Sequence, residues 1–271
     1  MGRKKNIKPQ DVSPEEMDYI DKKLYGSSYQ TNEFQPFVSY DYQVKLKCMN
    51  KAQKDFLKLL KDETKVIVTA LGSAGTGKSY ISLAYALTEL KSRRFHKVIQ
   101  LVPTTPAGSK YLDLGLLPGD LNAKMMPFIQ QDIETMTKIL DKSENCQSAK
   151  IIDGLIRNGV IEHRALSYIR GASWDNTLIC LNEIENFNVS EILLMLTRLG
   201  DNSKIIMTGD VIQCDRPDIK NKSYRDSGIE YVVERLQGME EFGLVRFTKD
   251  DIVRNPLITK ILERLYPEPN K

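Results

Sequence analysis

Three short stretches of this 271-residue chain carry residue types that could do chemistry together. The first is GSAGTGKS, running Gly72, Ser73, Ala74, Gly75, Thr76, Gly77, Lys78, Ser79, with Tyr80 next in line. Its spacing, G-x-x-x-x-G-K-[ST], is that of a loop that cradles phosphates. Glycines let successive backbone N–H groups turn inward around phosphate oxygens at the positive end of the following helix. In such a loop Lys78 reaches the β- and γ-phosphates, and the Ser79 hydroxyl can ligate Mg2+. The second stretch, LICLNEIEN, brings Asn182 and Glu183 to the end of an apolar run. The third, TGDVIQ, places Asp210 and Gln213 just past another. Beside a triphosphate, a carboxylate such as Glu183 can polarise the attacking water, and Gln213 can sense the γ-phosphate. Asp210 has a plainer reading as well, as the N-cap of a following helix.

These residues need a scaffold that gathers separate strand ends. VIVTAL (66–71) reads as a strand and KSYISLAYALTEL (78–90) as the helix after it, the setting the loop requires. Further strands are expected at KVIQLV (97–102), VIEHR (160–164), TLICL (177–181), KIIMTG (204–209) and LVRF (244–247). Helices are expected from Asn50 to about 62, over 120–141 with Pro127 bending or interrupting it, and at 149–157, 189–199, 231–238 and 256–266. Short β-rich strands, apolar on both faces and alternating with helices, predict a parallel sheet sandwiched by helices. In such an α/β sheet the ligand lies beyond the carboxyl ends of the strands. Residues 1–45 lack sustained periodicity apart from a short helix after Ser13-Pro14. The expectation is an irregular N-terminal extension over 1–45 and one domain over 46–271.

Composition excludes more than it names. The net charge of +3 is too small to argue for a partner. Two histidines, His96 and His163, exclude a multi-histidine zinc site. Four cysteines without CxxC spacing suit reduced thiols, and the absence of a signal peptide or membrane-length apolar run predicts a cytoplasmic protein with no membrane partner. Basic clusters (Lys91, Arg93, Arg94 and Lys97; Lys220 and Lys222) are either solvated faces or nucleic-acid contacts. Thr104, Thr105 and Lys110 follow the second strand and are candidate contacts to a single-stranded RNA or DNA backbone. Trp174, following Arg170-Gly171, could stack on a base or pack in the core.

In order along the chain, GSAGTGKS, GLLPGDL (115–121), SYIRG (167–171), NEIEN (182–186), LTRLG (196–200), TGDVIQCD (208–215), SGI (227–229) and FTKDDIVRNPLI (247–258) resemble the PhoH-like proteins, in particular their short phage-encoded branch. The resemblance spans Asn50 to Tyr266. It implies a RecA-like P-loop NTPase core akin to superfamily 1 helicases, ATP hydrolysis with Mg2+, action on RNA as a helicase or remodeller, and a homo-oligomeric ring, a hexamer. Carried over by position, the loop from Gly72 to Ser79 binds the nucleotide, Glu183 is the catalytic glutamate, and Asp210 and Gln213 fall in a Gly-Asp-x-x-Gln motif. Arg254 matches an arginine that could reach a ring neighbour's site as a finger, or serve as a structural ion-pair partner. Gln53 matches an adenine-reading glutamine, or is an exposed helix residue.

The chain also departs from the family pattern. Asn182-Glu183-Ile184-Glu185-Asn186 stands where the family has Asp-Glu-Ala-Gln-Asn. LVPTTPAG (101–108) replaces a threonine-arginine-proline motif, and Ala172 replaces an arginine. Asn182 keeps a carbonyl that can accept from a magnesium-bound water but lacks the charge. The expectation is an ATPase with a raised magnesium requirement. The alternative is a nucleotide-binding assembly module with little turnover.

Overall fold

The computed structural model describes residues 42–102, 121–140, 147–166, 171–210 and 228–253, together with Ile169 and Arg264, and side chains within 121–128 stand outside it. Asn50 opens α1 (Lys51–Lys61), its side chain accepting from the N–H of Gln53 at 2.9 Å. The far end of α1 is closed by the buried Lys204, whose Nζ donates to the carbonyls of Leu60 (2.6 Å) and Asp62 (2.8 Å). Then come β1 (Ile67–Leu71), α2 (Lys78–Lys91), β2 (Lys97–Val102), α3 (Leu121–Leu140) and α4 (Ser148–Arg157). β3 (Ile161–Ala165) and β4 (Thr177–Leu181) lead into a 3-10 turn, Ile184–Asn186. α5 (Val189–Leu196), β5 (Lys204–Gly209), α6 (Gly228–Leu236) and β6 (Phe242–Arg246) complete the described elements, with a last 3-10 turn at Lys249–Asp251.

All six strands pair in parallel, in the order β3-β2-β4-β5-β1-β6. Strand residues alternate between two cores, so both sheet faces are buried. Val68, Ala70, Cys180 and Ile206 face one core with Phe56 of α1, Ile81 of α2, Met136 of α3 and Ile152 of α4. Leu71, Ile179, Leu181 and Met207 face the other with Ile192 of α5 and Val232 of α6. This is the expected helix-sheet-helix α/β architecture. Its consequence for the site is strand order: β1, β5 and β4 lie side by side, so their carboxyl ends converge.

Several boundaries differ from expectation. α3 runs through Pro127 as one unbroken helix. α5 stops at Leu196, because Thr197 and Arg198 turn back onto the carbonyls of Leu193 and Met195. β6 begins two residues early, at Phe242, and takes in Gly243; a Cβ there would lie 3.1 Å from Leu59 of α1. Of the helix expected at 256–266 only Arg264 is described, and it is helical; the short helix near residue 14 falls outside the described residues. The packed domain also takes in residues placed in the extension. Residues 42–49 form an extended strap with Val44 and Leu46 turned toward the first core and a buried Tyr42, whose hydroxyl donates to the carbonyl of Leu87 at 2.9 Å. Among the described residues no helix is long and apolar enough to cross a membrane.

Candidate nucleotide site

The phosphate loop leaves β1 at Gly72 and enters α2 at Lys78. Gly72 has φ +144°, and a Cβ on it would lie 2.3 Å from the carbonyl oxygen of Phe247, so the loop's first turn fits only glycine. Gly77 caps α2 in the left-handed region (φ 86°) with no side-chain cap bond, which leaves the helix's first N–H groups turned toward the cavity. Thr76 is fully buried, and its hydroxyl donates to the carbonyl of Ser73 at 2.9 Å. Ala74, Gly75, Gly77, Lys78, Ser79 and Tyr80 line a cavity of about 610 Å³. Gly72, Ser73 and Thr76 shape the loop from behind.

Lys78 is 8 % exposed and folds back over the loop, its Nζ donating to the carbonyls of Gly72 (2.5 Å) and Ser73 (2.9 Å). The ammonium is thereby held at the cradle's centre, where phosphate oxygens are the stronger acceptors.

Opposite the loop stand the ends of β4 and β5. Glu183 adopts a left-handed backbone (φ 56°), unusual for a residue with a side chain, and its exposed carboxylate borders the cavity. Glu185 lies in the following turn, 6 % exposed, and accepts from the N–H of Asp210 at 2.9 Å. Asp210 is also buried, and its Oδ2 accepts from the N–H of Ala74 at 3.1 Å. One run of hydrogen bonds thus ties the β4 turn to the β5 end and the β5 end to the phosphate loop. Burial pushes the Glu185 carboxyl up to about 7, with the Glu183 and Asp210 charges adding and the backbone donors opposing. Asp210's carboxylate thus also braces the loop, while the residues after it, where a helix would be capped, lie outside the described residues.

Asn182 is set one step back. Its Oδ1 accepts from the Thr208 hydroxyl at 2.8 Å, and Thr208, not Asn182, lines the cavity. The carbonyl expected to be offered to a metal-bound water is thus engaged by Thr208, and Asn182 is not among the residues that line the cavity. Gln53 needs a correction too. It is not an exposed helix residue: at 3 % exposure it borders the cavity, its Nε2 donates to the carbonyl of Thr76 (2.9 Å) and its Oε1 accepts from the N–H of Met49 (2.6 Å). The amide braces the phosphate loop from α1.

Trp174 is the third correction. It precedes β4, so it lies at the sheet's amino edge, away from the site, and packs at 8 % exposure in the second core. It presents no face for stacking on a base. The basic cluster Lys91, Arg94 and Lys97 lies at that same edge and is engaged internally: Lys97 with Glu162 (2.6 Å), Arg94 with Glu63 (3.5 Å) and Lys91 with the carbonyl of Tyr42. Gln213, Arg254, Thr104, Thr105, Lys110 and Arg170 lie outside the described residues, as do Lys220 and Lys222. Glu185, Thr208, Met49 and Val253 are cavity residues that the sequence reading did not place in the site. The polar tail of LICLNEIE signalled the first, and TG before Asp210 the second. No local signal marks the other two.

Fold and loop together define a nucleoside-triphosphate-binding P-loop protein of the α/β class. The family described as PhoH-like protein matches residues 45–266, and the chain belongs to that family. It is 34% identical over 197 residues to a PhoH-like protein of Bacillus subtilis strain 168, covering 73% of this chain and 57% of that one. It is 33% identical over 215 residues to Protein PhoH of Escherichia coli K12, covering 79% and 56%. The chain therefore spans little more than half the length of these relatives. Among solved structures, the large terminase of a thermophilic bacteriophage superposes with a TM-score of 0.52 at 12% identity, over 80% of this chain and 49% of that one, a likeness of fold alone.

Proposed function

We propose that this chain binds ATP with Mg2+ and hydrolyses it, and that it works on single-stranded RNA or DNA as a helicase or remodeller within a homo-oligomeric ring. The observation that carries the first half is the meeting of Lys78, Glu183 and Asp210 around one cavity from three adjacent strand ends. The second half rests on membership of the PhoH-like family and on the resemblance of its motifs to those of helicases.

The donor set suits magnesium. Ser79, Asp210 and Glu183 offer hard oxygen ligands, and no group of three acidic, histidine or cysteine side chains among the described residues could hold a metal alone. Such a site fits an ion that enters with the triphosphate. Ser79 and Asp210 would hold it, and when bound it neutralises charge on the β- and γ-phosphates. The chain's own groups do the rest. The α2 N-terminus and the loop N–H groups bind the phosphates, and Lys78 neutralises their charge. Glu183, exposed to the cavity, orients a water and accepts its proton. Glu185 and Asp210 fix where that carboxylate sits relative to the loop.

One observation favours a second reading, nucleotide-dependent assembly with little turnover: Asn182 brings neither charge nor a cavity-facing atom to the metal side. An ATPase assay with and without single-stranded RNA, beside sizing with and without nucleotide, tests both. Hydrolysis stimulated by RNA, fading as salt rises, together with a ring supports the motor. A ring with negligible turnover supports the assembly module.

A further inference from the structure

Residues 45–61 carry six lysines and one acid, Asp55, whereas the whole chain is nearly balanced at 39 basic and 36 acidic side chains. All six lysines are exposed. Lys45 and Lys47 alternate along the strap with Val44 and Leu46, which turn toward the first core. On α1, Lys51, Lys54, Lys58 and Lys61 are spaced by three and four residues, which sets them in one stripe about 15 Å long. The buried Gln53, Phe56 and Leu60 occupy the opposite side of the helix. Strap and helix form one surface. The strap starts at the C-terminal end of α2, where Tyr42 donates to Leu87 and accepts from Lys91, and it ends at the cavity, where Met49 donates to Gln53. α1 starts there and runs back to Lys204, the first residue of β5. The two segments therefore run in opposite directions over the same span. Burial pushes the Cys48 thiol of the strap up, while the charges of Lys54 and Lys61 oppose it from α1.

Such a stripe works against its own helix. Like charges three and four residues apart repel. Lys51 and Lys54 also stand in a first turn that holds no acid, where the helix dipole disfavours cations. α4 handles its charge differently, pairing Arg157 with Asp153 at 2.9 Å. Among the described residues none of the six lysines is in an ion pair. Resting on the nucleic-acid half of the reading above, we propose that this strap-and-helix face binds the phosphate backbone of a single strand, its lysines replacing the strand's counterions. The face reaches the nucleotide site. Lys47 lines the cavity, and Gln53, on the far side of α1, donates to the carbonyl of Thr76 in the phosphate loop. A strand lying along α1 thus touches the helix that braces the loop.

Fluorescence anisotropy of labelled oligouridylate and oligothymidylate, each about 20 nucleotides long, titrated with the full chain between about 50 and 200 mM salt, measures this. The variant carrying Lys51→Gln, Lys54→Gln, Lys58→Gln and Lys61→Gln is expected to bind about tenfold or more weakly at low salt. Its slope of log affinity against log salt should be shallower by about 3, since each phosphate contact on a single strand contributes about 0.7. Arginine at the same four positions should keep the wild-type slope. Labelled ATP should bind wild type and both variants alike, because none of the four residues lines the cavity. Wild-type affinity and slope in the glutamine variant overturn the proposal while leaving the nucleic-acid reading standing. Failure of wild type to bind either oligonucleotide overturns both. Loss of binding to phosphatidylserine vesicles in the glutamine variant, with oligonucleotide binding unchanged, assigns the face to a membrane surface and overturns the proposal as well.

Discussion

The hydroxyl of Thr208, at the end of β5, donates to Oδ1 of Asn182, at the end of β4, at 2.8 Å. The bond orients the amide and seats Thr208 at the cavity wall in front of it. An aspartate in place of Asn182 would accept the same bond and add a negative charge behind the metal side. Asn182→Asp is therefore expected to fold as the wild type does and to lower the magnesium concentration that half-saturates nucleotide binding, by about three- to tenfold. A magnesium titration of fluorescent-nucleotide binding reads this directly. An unchanged midpoint would show that charge at this position does not reach the ion.

Glu183 is the carboxylate at the β4 end that faces the cavity with its side chain exposed. Replacement by glutamine keeps the shape and removes the proton acceptor. Glu183→Gln is expected to cut the hydrolysis rate by about 10²–10⁴ while nucleotide affinity stays within about threefold. Phosphate release under single-turnover conditions, beside equilibrium binding, separates the two. A fall in affinity with unchanged turnover would place Glu183 in binding rather than in proton transfer.

Lys204 tests the scaffold. Burial holds its ammonium down to about 8, Arg94 adding to the effect while Asp62, Glu89 and Glu63 oppose it. In the unfolded chain the group titrates near 10.5, so between pH 8 and 10.5 the unfolded state binds more protons than the folded one. The Lys204 contribution to stability therefore rises with pH across that window, by about 1 kcal/mol per pH unit. Denaturant unfolding of wild type and Lys204→Met across this range should show a difference that grows in favour of wild type as pH rises. Cys180, whose thiol burial pushes up, is present in both proteins and cancels in the comparison. A constant difference would mean that Lys204 keeps its ordinary basicity in the fold.

Local chemistry made much of this legible. The phosphate loop is contiguous, and its glycines are demanded by geometry that a short sequence can encode. Strands such as KIIMTG announce burial on both faces by composition alone. Side chains whose surroundings come from far along the chain were misjudged. Gln53 lies on the polar side of its helix by pattern, yet the phosphate loop 23 residues on and the strap before α1 bury it. Glu185 is enclosed by Gly209, where a Cβ would lie 2.5 Å from its Oε2. The Asn182 carbonyl is engaged by Thr208, a neighbour only in the sheet. Trp174 is different, because strand direction already places a residue before β4 at the wrong edge for the site. Met49 and Val253 come together only through the fold, and nothing in either segment alone marks them.

The central claim is that a triphosphate lies in the loop with Lys78 on its phosphates. Equilibrium binding of labelled ATP in excess Mg2+, with wild type and Lys78→Ala side by side, tests it most directly. Wild type is expected to bind saturably and the variant to lose about tenfold or more in affinity, since a charge-assisted contact at the cradle's centre disappears. Equal affinity in the two proteins, or no binding by wild type, would contradict it.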